Sequence, residues 1–301
     1  MWFKNLIFYR FTQPVTFTQS ILEEKLKQKR FTPCGSQDLS SYGWVPPLGR
    51  HGNMLTHCID DFIMMTARKE EKILPASVIR NALEEQIEQF EQKQNRKILS
   101  KEKKRLKDDV MMSLLPKAFT RYQDIFSYVD SAKGWLIVDA ASFNKAEEIT
   151  SYLRETIGSL PIINTPLKNP PSHIMTQWLE QTLPIPVNFI LGDECELREP
   201  SDEGGHIKAS KQTLISEEIS THLEAGKQVS KLALCWNNAL TFVLGDDLII
   251  RKLKFTDLIQ NKLDEINVET AAEQFDADFS VMSLTFRQLL KQLLDALGGE
   301  D

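Results

Sequence analysis

The most regular hydrophobic pattern of the chain lies between residues 76 and 118. Pro75 stands just ahead of it, where a proline is tolerated at the start of a helix. The apolar residues that follow recur at spacings of 4, 4 and 3, which predicts one apolar stripe; they are Ile79, Leu83, Ile87 and Phe90. After a break near Leu99, a second helix from about residue 101 to residue 115 would return antiparallel. The pattern therefore predicts a helical hairpin that projects from a sheet-containing domain.

Short runs of aromatic and β-branched residues lie on both sides of this hairpin. Residues 2–11, 62–67, 126–129 and 135–139 have the composition of strands, and the turn residues between the last two predict a β-hairpin. Helical patterns cover residues 22–29 and 145–157. The regions that flank the helical hairpin are thus expected to form one mixed α and β unit.

A stretch with six prolines, between residues 161 and 186, indicates a change of domain. Beyond it, strands are predicted at 189–197, 232–236, 240–244 and 248–255, with Asn237-Asn238 as the turn between the middle two. Ser216 and Gly226 would bound one helix, and residues 283–297 would form an amphipathic helix. These elements predict a second α+β unit.

The whole pattern predicts an α+β protein in three parts. A central α+β domain takes residues 1–75 and 119–165, a helical tip takes 76–118, and a base domain with the C-terminal helix takes 166–301. The chain has 301 residues, 42% of them hydrophobic, which is enough to build separate cores.

Basic residues are concentrated on the predicted tip. The net charge of the chain is −6, which alone argues against a nucleic-acid partner. However, residues 93–107 hold eight basic residues and one acid, a net charge of +7 that leaves −13 for the remainder. Lysine and arginine on a rigid helix can follow DNA phosphates, although a solvated charged face is the alternative interpretation. The DNA-binding candidates here are Lys93, Arg96, Lys97, Lys101, Lys103 and Lys104, of which Arg96 and Lys97 are preferred.

The base domain supplies further basic candidates. Lys208, Lys211 and Gln212 are expected on a loop, where solvated side chains are the alternative. If alternate residues of the strand at 248–255 point to one side, Arg251 lies on the opposite face from Lys252 and Lys254. The remaining candidate is Lys227.

Three apolar residues of the projection could pack inside the hairpin or across a twofold axis. A projection two helices thick has little interior, so its apolar residues need cover from elsewhere. Phe90, Leu115 and Phe119 are therefore candidates for a dimer interface, with packing in the core as the alternative for Phe119.

Enzymatic chemistry has weaker support. Asp276 and Asp278, with Glu273, could share a metal ion for phosphodiester cleavage if they lay in a loop. Cys34 with a neighbouring histidine lacks a catalytic signature, and the four cysteines show no metal-ligand spacing. No phosphate-binding loop or dinucleotide motif is present, and no catalytic residue, metal or cofactor is predicted.

The location of the protein is expected to be the cytoplasm. The first ten residues are interrupted by Lys4 and Arg10 and are followed by no small-residue cleavage site, so a signal peptide is not expected. No apolar run approaches the roughly 20 residues of a membrane-spanning helix, and no membrane partner is expected. Trp44, Trp135 and Trp236 lie beside strands, which favours a core role over stacking on single-stranded bases.

Seven segments, in order along the chain, resemble the RdgC family of bacterial recombination-associated proteins. They are FTPCGSQD (31–38), GWVPP (43–47), ARKEEKILP (67–75), SLLPKAF (113–119), EAGK (224–227), RKLKF (251–255) and FDADF (275–279). The resemblance implies a homodimer closed into a ring, with helical tips meeting on one side, base domains on the other, and duplex DNA in a basic hole. It also implies binding without sequence preference, association with the nucleoid, and restraint of recombination promoted by RecA.

Overall fold

The computed structural model describes residues 2–201, 204–257, 259 and 270–300. It contains two antiparallel sheets with helices packed on them, so the predicted α+β class is confirmed. In the described part of the chain, no helix is long and apolar enough to cross a membrane.

The first sheet has seven strands in the order β2-β4-β5-β6-β1-β7, with β3 paired to β4. Its strands are β1 (Ile7–Phe11), β2 (Ser40–Val45), β3 (Thr56–Ile59), β4 (Phe62–Ile73), β5 (Phe119–Asp130), β6 (Trp135–Val138) and β7 (Ile162–Asn164). Helices α1 (Gln19–Lys27) and α4 (Phe143–Ile157) belong to this half of the chain. Their buried residues Leu22, Leu26, Ile149 and Leu153 share one core cluster with the strand residues of one sheet face.

Strands β4 and β5 carry the helical hairpin. They are twelve residues each and pair without interruption from Phe62 opposite Asp130 to Ile73 opposite Phe119. The hairpin, α2 (Ala76–Gln94) and α3 (Ser100–Leu114), is inserted between their adjacent ends. The predicted hairpin over residues 76–118 is therefore confirmed, with a short 3-10 turn at Leu115–Lys117 closing it.

The second sheet has five strands in the order β12-β11-β10-β8-β9. They are β8 (Phe189–Arg198), β9 (His206–Ser210), β10 (Gln228–Trp236), β11 (Leu240–Gly245) and β12 (Ile250–Phe255). One face packs against α5 (Pro171–Leu179), α6 (Glu217–Glu224) and the long helix α7 (Ala271–Ala296) in a shared core cluster. The opposite face, which carries Glu194, Lys208 and Lys252, is called the open face below. The turn predicted at Asn237-Asn238 is confirmed, and both residues have positive φ, as tight hairpin turns require.

The two sheets are joined through the N-terminal segment and α7. Leu6 and Ile250 exchange backbone hydrogen bonds, and the N–H of Leu253 donates to the carbonyl of Lys4 at 2.9 Å. The Arg287 guanidinium on α7 binds both carboxylate oxygens of the buried Asp130, at 2.6 and 2.8 Å. Apolar side chains from both sheets and from α7 share one core cluster, for example Phe62 on β4, Phe242 on β11 and Phe279 on α7.

Several strand boundaries differ from those predicted. The strand at 62–67 continues to Ile73 and the strand at 126–129 begins at Phe119, because charged side chains there are paired across the ladder, as Arg68 is with Asp124 at 2.6 Å. The first strand begins at Ile7 rather than residue 2. Lys208 lies on the edge strand β9 and not on the predicted loop.

Candidate nucleic-acid interface

The connection between α2 and α3 is fixed by Asn95, which has a left-handed backbone conformation, and by the carboxylate of Glu102. Helix α2 stops at Asn95, whose φ of 48° lies in the left-handed region that asparagine tolerates. The Glu102 carboxylate then accepts a hydrogen bond from the Leu99 N–H at 3.0 Å, at the start of α3. These contacts fix the connection between the two helices.

Arg96 is held within this connection. Its guanidinium donates two hydrogen bonds to the Glu102 carboxylate, at 2.9 and 2.7 Å, and lies 5.3 Å from the centre of the Phe90 ring. The pKa of Glu102 is lowered to about 2, chiefly by its hydrogen bonds with Arg96 and the Leu99 N–H, and the pKa of Arg96 is raised. Arg96 therefore has a local partner that DNA would have to replace.

The other basic residues of the tip have no such partner. All eight basic side chains between residues 93 and 107 are exposed, and among the residues that the structure describes Arg96 alone of these eight forms a salt bridge. With about 100° between successive residues, Lys101 and Lys104 lie opposite the Leu106 and Val110 side of α3, which faces α2. The tip is therefore a set of unneutralised cations on a rigid support.

The apolar stripe of the hairpin is largely satisfied within the chain. Leu83, Val110 and Leu115 are buried, and Ile79, Ile87 and Phe90 are half-buried. Of the three dimer-interface candidates, Leu115 is covered inside the single chain and Phe90 lies beneath Arg96. Neither side chain is freely available to a partner.

Phe119 is the exception, because its side chain is 85% exposed at the root of the hairpin. Its cross-strand neighbour Ile73 is 45% exposed and Leu39 nearby in the fold is 56% exposed. A packing role for Phe119 in the core of the single chain is therefore wrong. Phe119 is the first residue of β5, directly after the turn that closes the hairpin.

Three basic residues of the open face, Lys208, Lys231 and Lys252, contact carboxylates. The exposed Lys254 on β12 forms no salt bridge among the described residues. Glu194 on β8 contacts Lys208 at 3.2 Å and Lys252 at 2.6 Å, and the neighbouring Glu196 contacts Lys231 at 2.8 Å. The pKa of Glu194 is lowered, first by its hydrogen bond with Lys252 and then by Lys208. The fold thus brings two of the candidate residues, Lys208 and Lys252, close together, but both already contact the Glu194 carboxylate.

The remaining candidates of the base lie in different settings. Arg251 binds both carboxylate oxygens of Asp247, at 2.9 and 2.6 Å. The prediction that Arg251 lies on the opposite face from Lys254 is wrong, because a register shift at Lys252 places Arg251 opposite Val243 and Lys254 opposite Thr241, on one face of the sheet. Three further candidates, Lys211, Gln212 and Lys254, are exposed, and Lys227 is half-exposed. Lys211 has a positive φ of 59° in the turn that follows β9.

The acidic residues considered for a metal site have separate roles. Glu273, Asp276 and Asp278 lie on helix α7 and not in a loop. Side chains two residues apart on a helix point in different directions, so Asp276 and Asp278 are not placed to share a metal ion. Asp276 contacts His57 at 2.9 Å, Asp278 accepts from Gln274 at 2.9 Å, and Glu273 closes the capping box with Thr270. Within the described residues, no group of three or more metal-binding side chains is present.

Cys34 is likewise engaged elsewhere. Its N–H donates to the Glu70 carboxylate at 2.7 Å, and burial together with Glu70 raises the pKa of its thiol. A raised thiol pKa disfavours the nucleophilic thiolate, so this environment does not activate Cys34.

Sequence reasoning missed one basic cluster. Arg10, Lys133, Arg287 and Lys291 line a common cavity, yet they come from strand β1, the turn after β5 and helix α7. No spacing along the chain could have indicated this cluster, because the fold alone brings the residues together.

Comparisons with known proteins agree over the whole chain. Residues 1–300 match a family model described as "Putative exonuclease, RdgC". The chain is 44% identical to "Recombination-associated protein RdgC" of Aeromonas hydrophila over 301 residues, covering 100% of this chain and 99% of that protein. It is 45% identical to the protein of the same name from Psychromonas ingrahamii and 44% identical to that from Yersinia pestis, each over 300 residues and 99% of the relative. The description of the family model names an exonuclease, whereas the names of the relatives refer to recombination.

Proposed function

Because the chain belongs to the RdgC family of recombination-associated proteins, we propose that it binds double-stranded DNA through the phosphate backbone, without reading base sequence and without catalysing a reaction. Contacts to phosphates fix a protein on a duplex but carry no sequence information. The proposed partner is therefore DNA as a polyanion, whatever its sequence.

The observation that carries this proposal is the set of unpaired cations on the helical tip. Lys93, Lys97, Lys101, Lys103 and Lys104 are exposed and free of salt bridges in the described part of the chain, on a hairpin held by the β4–β5 ladder. Cations that approach phosphates release condensed counterions, which supplies most of the free energy of nonspecific binding. The acidic remainder of the molecule would be repelled by DNA, so it would leave the tip as the preferred contact.

We further propose that the functional form is a homodimer closed around the duplex. In this arrangement the tip is residues 76–118, the centre is residues 1–75 and 119–165, and the base is residues 166–301. Phe119, exposed at the root of the tip, is the proposed anchor of the dimer contact. Lys208, Lys252 and Lys254 on the open face, together with Lys211 and Gln212 in the turn after β9, would supply secondary contacts to DNA.

In the cell, such a protein would act on the nucleoid in the cytoplasm. A duplex that is already occupied is less available to a recombinase, so RecA-promoted recombination would be restrained through competition for DNA. This role requires no direct contact between the two proteins.

The test of DNA binding is the salt dependence of affinity for two duplexes of unrelated sequence. If about six phosphates are neutralised, the plot of log K against log salt concentration has a slope of about −5 for both duplexes. A slope near zero, or no retention of DNA even at low salt, would contradict the proposal.

The dimer is tested by sedimentation of a Phe119→Ala variant. Because the ring of Phe119 is exposed, its removal should leave the folded chain intact and shift the population toward monomer. Val187→Ala, at a side chain that is 99% exposed, is the matched control and should sediment as wild type. Equal dimer populations in wild type and Phe119→Ala would exclude this anchor.

The exonuclease alternative is tested on linear duplex DNA with magnesium. Under our proposal no product appears in wild type or in an Asp276→Asn variant. Metal-dependent cleavage that Asp276→Asn abolishes would replace the proposed function with phosphodiester hydrolysis.

A further inference from the structure

A second concave basic surface lies at the opposite end of the first sheet from the tip. It is a cavity of about 550 Å³ between the turn that joins β5 to β6 and the C-terminal half of α7. Twelve residues of β5 separate this turn from the hairpin root, a distance of roughly 36 Å along an extended strand. Four basic residues line the cavity: Arg10, Lys133, Arg287 and Lys291.

The Arg10 guanidinium is fixed from three sides. It donates to both carboxylate oxygens of Glu300, at 2.9 and 2.6 Å, and to the carbonyl of Lys133 at 2.7 Å. Its Cζ atom lies over the ring of the buried Trp135, 4.0 Å from the centroid. These contacts leave some of its five N–H groups unused and hold them in place at the cavity wall.

Arg287 is fixed in the same manner from the other wall. Its Nε and Nη2 donate to the buried Asp130, Nη2 also lies 3.6 Å from the Asp61 carboxylate, and the guanidinium lies 4.2 Å from the centroid of the Phe62 ring. The Nη1 group donates no hydrogen bond among the described residues, so its two N–H groups are available to a ligand. A preorganised donor of this kind loses little entropy when it binds an anion.

The two lysines supply the mobile charge. Lys133 and Lys291 are exposed, line the same cavity, and take part in no salt bridge within the described residues. Asp295, the lining acid that is not paired with Arg10, lies one helical turn beyond Lys291. A ligand that suits this set has an anionic group for the lysines and Arg287 and hydrogen-bond donors, such as hydroxyls, for Asp295.

We propose that this cavity binds a phosphate ester, with the phosphate between Lys133 and Lys291 and within reach of the free Nη1 of Arg287. Its volume is in the range typical of small-molecule sites. Either a free nucleotide or the backbone of DNA could supply the ester. The site is separate from the tip, so the proposal does not rest on DNA binding by the hairpin.

The test is acetylation of lysines in the full chain, read by mass spectrometry. The reaction is run without ligand, then with inorganic pyrophosphate, with a deoxynucleoside monophosphate, and with a duplex oligonucleotide. When the ligand is present at about ten times its Kd, acetylation of Lys133 and Lys291 should fall about tenfold. Lys25 and Lys145, exposed on α1 and α4, serve as controls and should react at unchanged rates.

The pattern of protection distinguishes the two sources. Protection by the mononucleotide assigns a free phosphate ester, and protection by the duplex alone assigns the DNA backbone. Pyrophosphate, which is an anhydride and not an ester, reports binding of the phosphate groups without the nucleoside. Absence of protection by all three ligands overturns the site. All three ligands are also tested on a Lys101→Glu/Lys104→Glu variant, in which the proposed DNA contacts of the tip are removed. Protection of Lys133 and Lys291 by the small ligands should be unchanged in this variant, because the cavity is separate from the tip.

Variants give an independent check with whichever ligand protects. Lys133→Gln/Lys291→Gln removes two exposed charges and should weaken binding by about tenfold or more in calorimetry. Lys25→Gln/Lys145→Gln has the same change in net charge and should bind as wild type. Equal affinities of wild type and Lys133→Gln/Lys291→Gln would overturn the assignment.

Discussion

The helical tip and the open face of the second sheet both gather basic side chains, but they differ in what those side chains contact. On the tip, Arg96 has a carboxylate partner and the seven other cations of residues 93–107 have none in the described part of the chain. On the open face, Glu194 contacts Lys208 and Lys252 together. A count of lysines would rate both regions as candidates for DNA binding, whereas their contacts with carboxylates distinguish them.

If the chain binds DNA as proposed, this difference sets how much each region contributes to the affinity. An unpaired exposed lysine gains a phosphate partner and releases a counterion. A lysine that already contacts a carboxylate must give up that partner, and the carboxylate then repels the phosphate. The tip should therefore carry most of the affinity, and the open face should add to it weakly.

The largest expected effect is charge reversal on the tip. Lys101→Glu/Lys104→Glu removes two proposed phosphate contacts and should weaken duplex binding by on the order of 10²-fold at about 0.1 M salt, with a shallower salt slope. Fluorescence anisotropy on two unrelated duplexes measures this. Lys25→Glu/Lys145→Glu, which reverses two exposed helical lysines elsewhere, is the matched control. Equal losses in both variants would mean that total charge governs binding and not the tip.

A smaller effect, of opposite sign, is expected on the open face. Glu194→Gln releases Lys208 and Lys252 from their shared carboxylate, so affinity for duplex DNA should rise about 3- to 10-fold. Glu24→Gln, at an exposed position on α1, removes the same charge and controls for the change in net charge. If the two variants bind equally, the open face does not contact DNA, and the affinity comes from the tip without it.

A third variant is designed to leave Arg96 without its carboxylate partner, like the seven other basic residues between 93 and 107. Glu102→Gln keeps an acceptor for the Leu99 N–H but releases the Arg96 guanidinium, so affinity should rise about 2- to 3-fold. The same binding assay measures it. A fall in affinity would show that Arg96 must be held by Glu102 in order to contact DNA.

The smallest effect concerns pH. Because the pKa of Glu102 is about 2 in the folded chain and 4.5 without its partners, the contact with Arg96 stabilises the tip fully above pH 4.5. That stabilisation is lost as the pH falls from 4.5 through about 2. The pKa of Glu194 is also lowered, so its contribution begins to fade below pH 4.5 as well. Carbon NMR of the Glu102 carboxyl measures its titration, and a midpoint at 4.5 or higher would show that the contact with Arg96 is absent in solution.

The tip could be predicted from the sequence because its determinants are local. The spacing of Ile79, Leu83 and Ile87 defines the first helix, and the basic residues follow within a short stretch of chain. The exposure of Phe119 could not be foreseen, because an apolar residue after an apolar helix end is compatible with a core. The exposure of Phe119 depends on which other elements pack against the start of β5, and the local sequence does not contain this information.

The salt bridges of the open face could not be predicted from the sequence for a different reason. Glu194, Lys208 and Lys252 lie on β8, β9 and β12, and their contacts depend on strand order and register. Lys208 was expected on a loop because the five-residue strand β9 has a lysine in its middle and a weak apolar pattern. The cavity between Arg10 and Arg287 depends in the same way on long-range assembly.

The way the hairpin joins the first sheet has a mechanical consequence. Both of its helices continue into the same end of β4 and β5, which are bonded laterally to β2, β3 and β6. A pull on the tip along the strand direction therefore tries to slide β4 and β5 past these neighbours, so that many backbone hydrogen bonds resist at once instead of opening one after another. The root of the projection is thus built to resist tension along the strands.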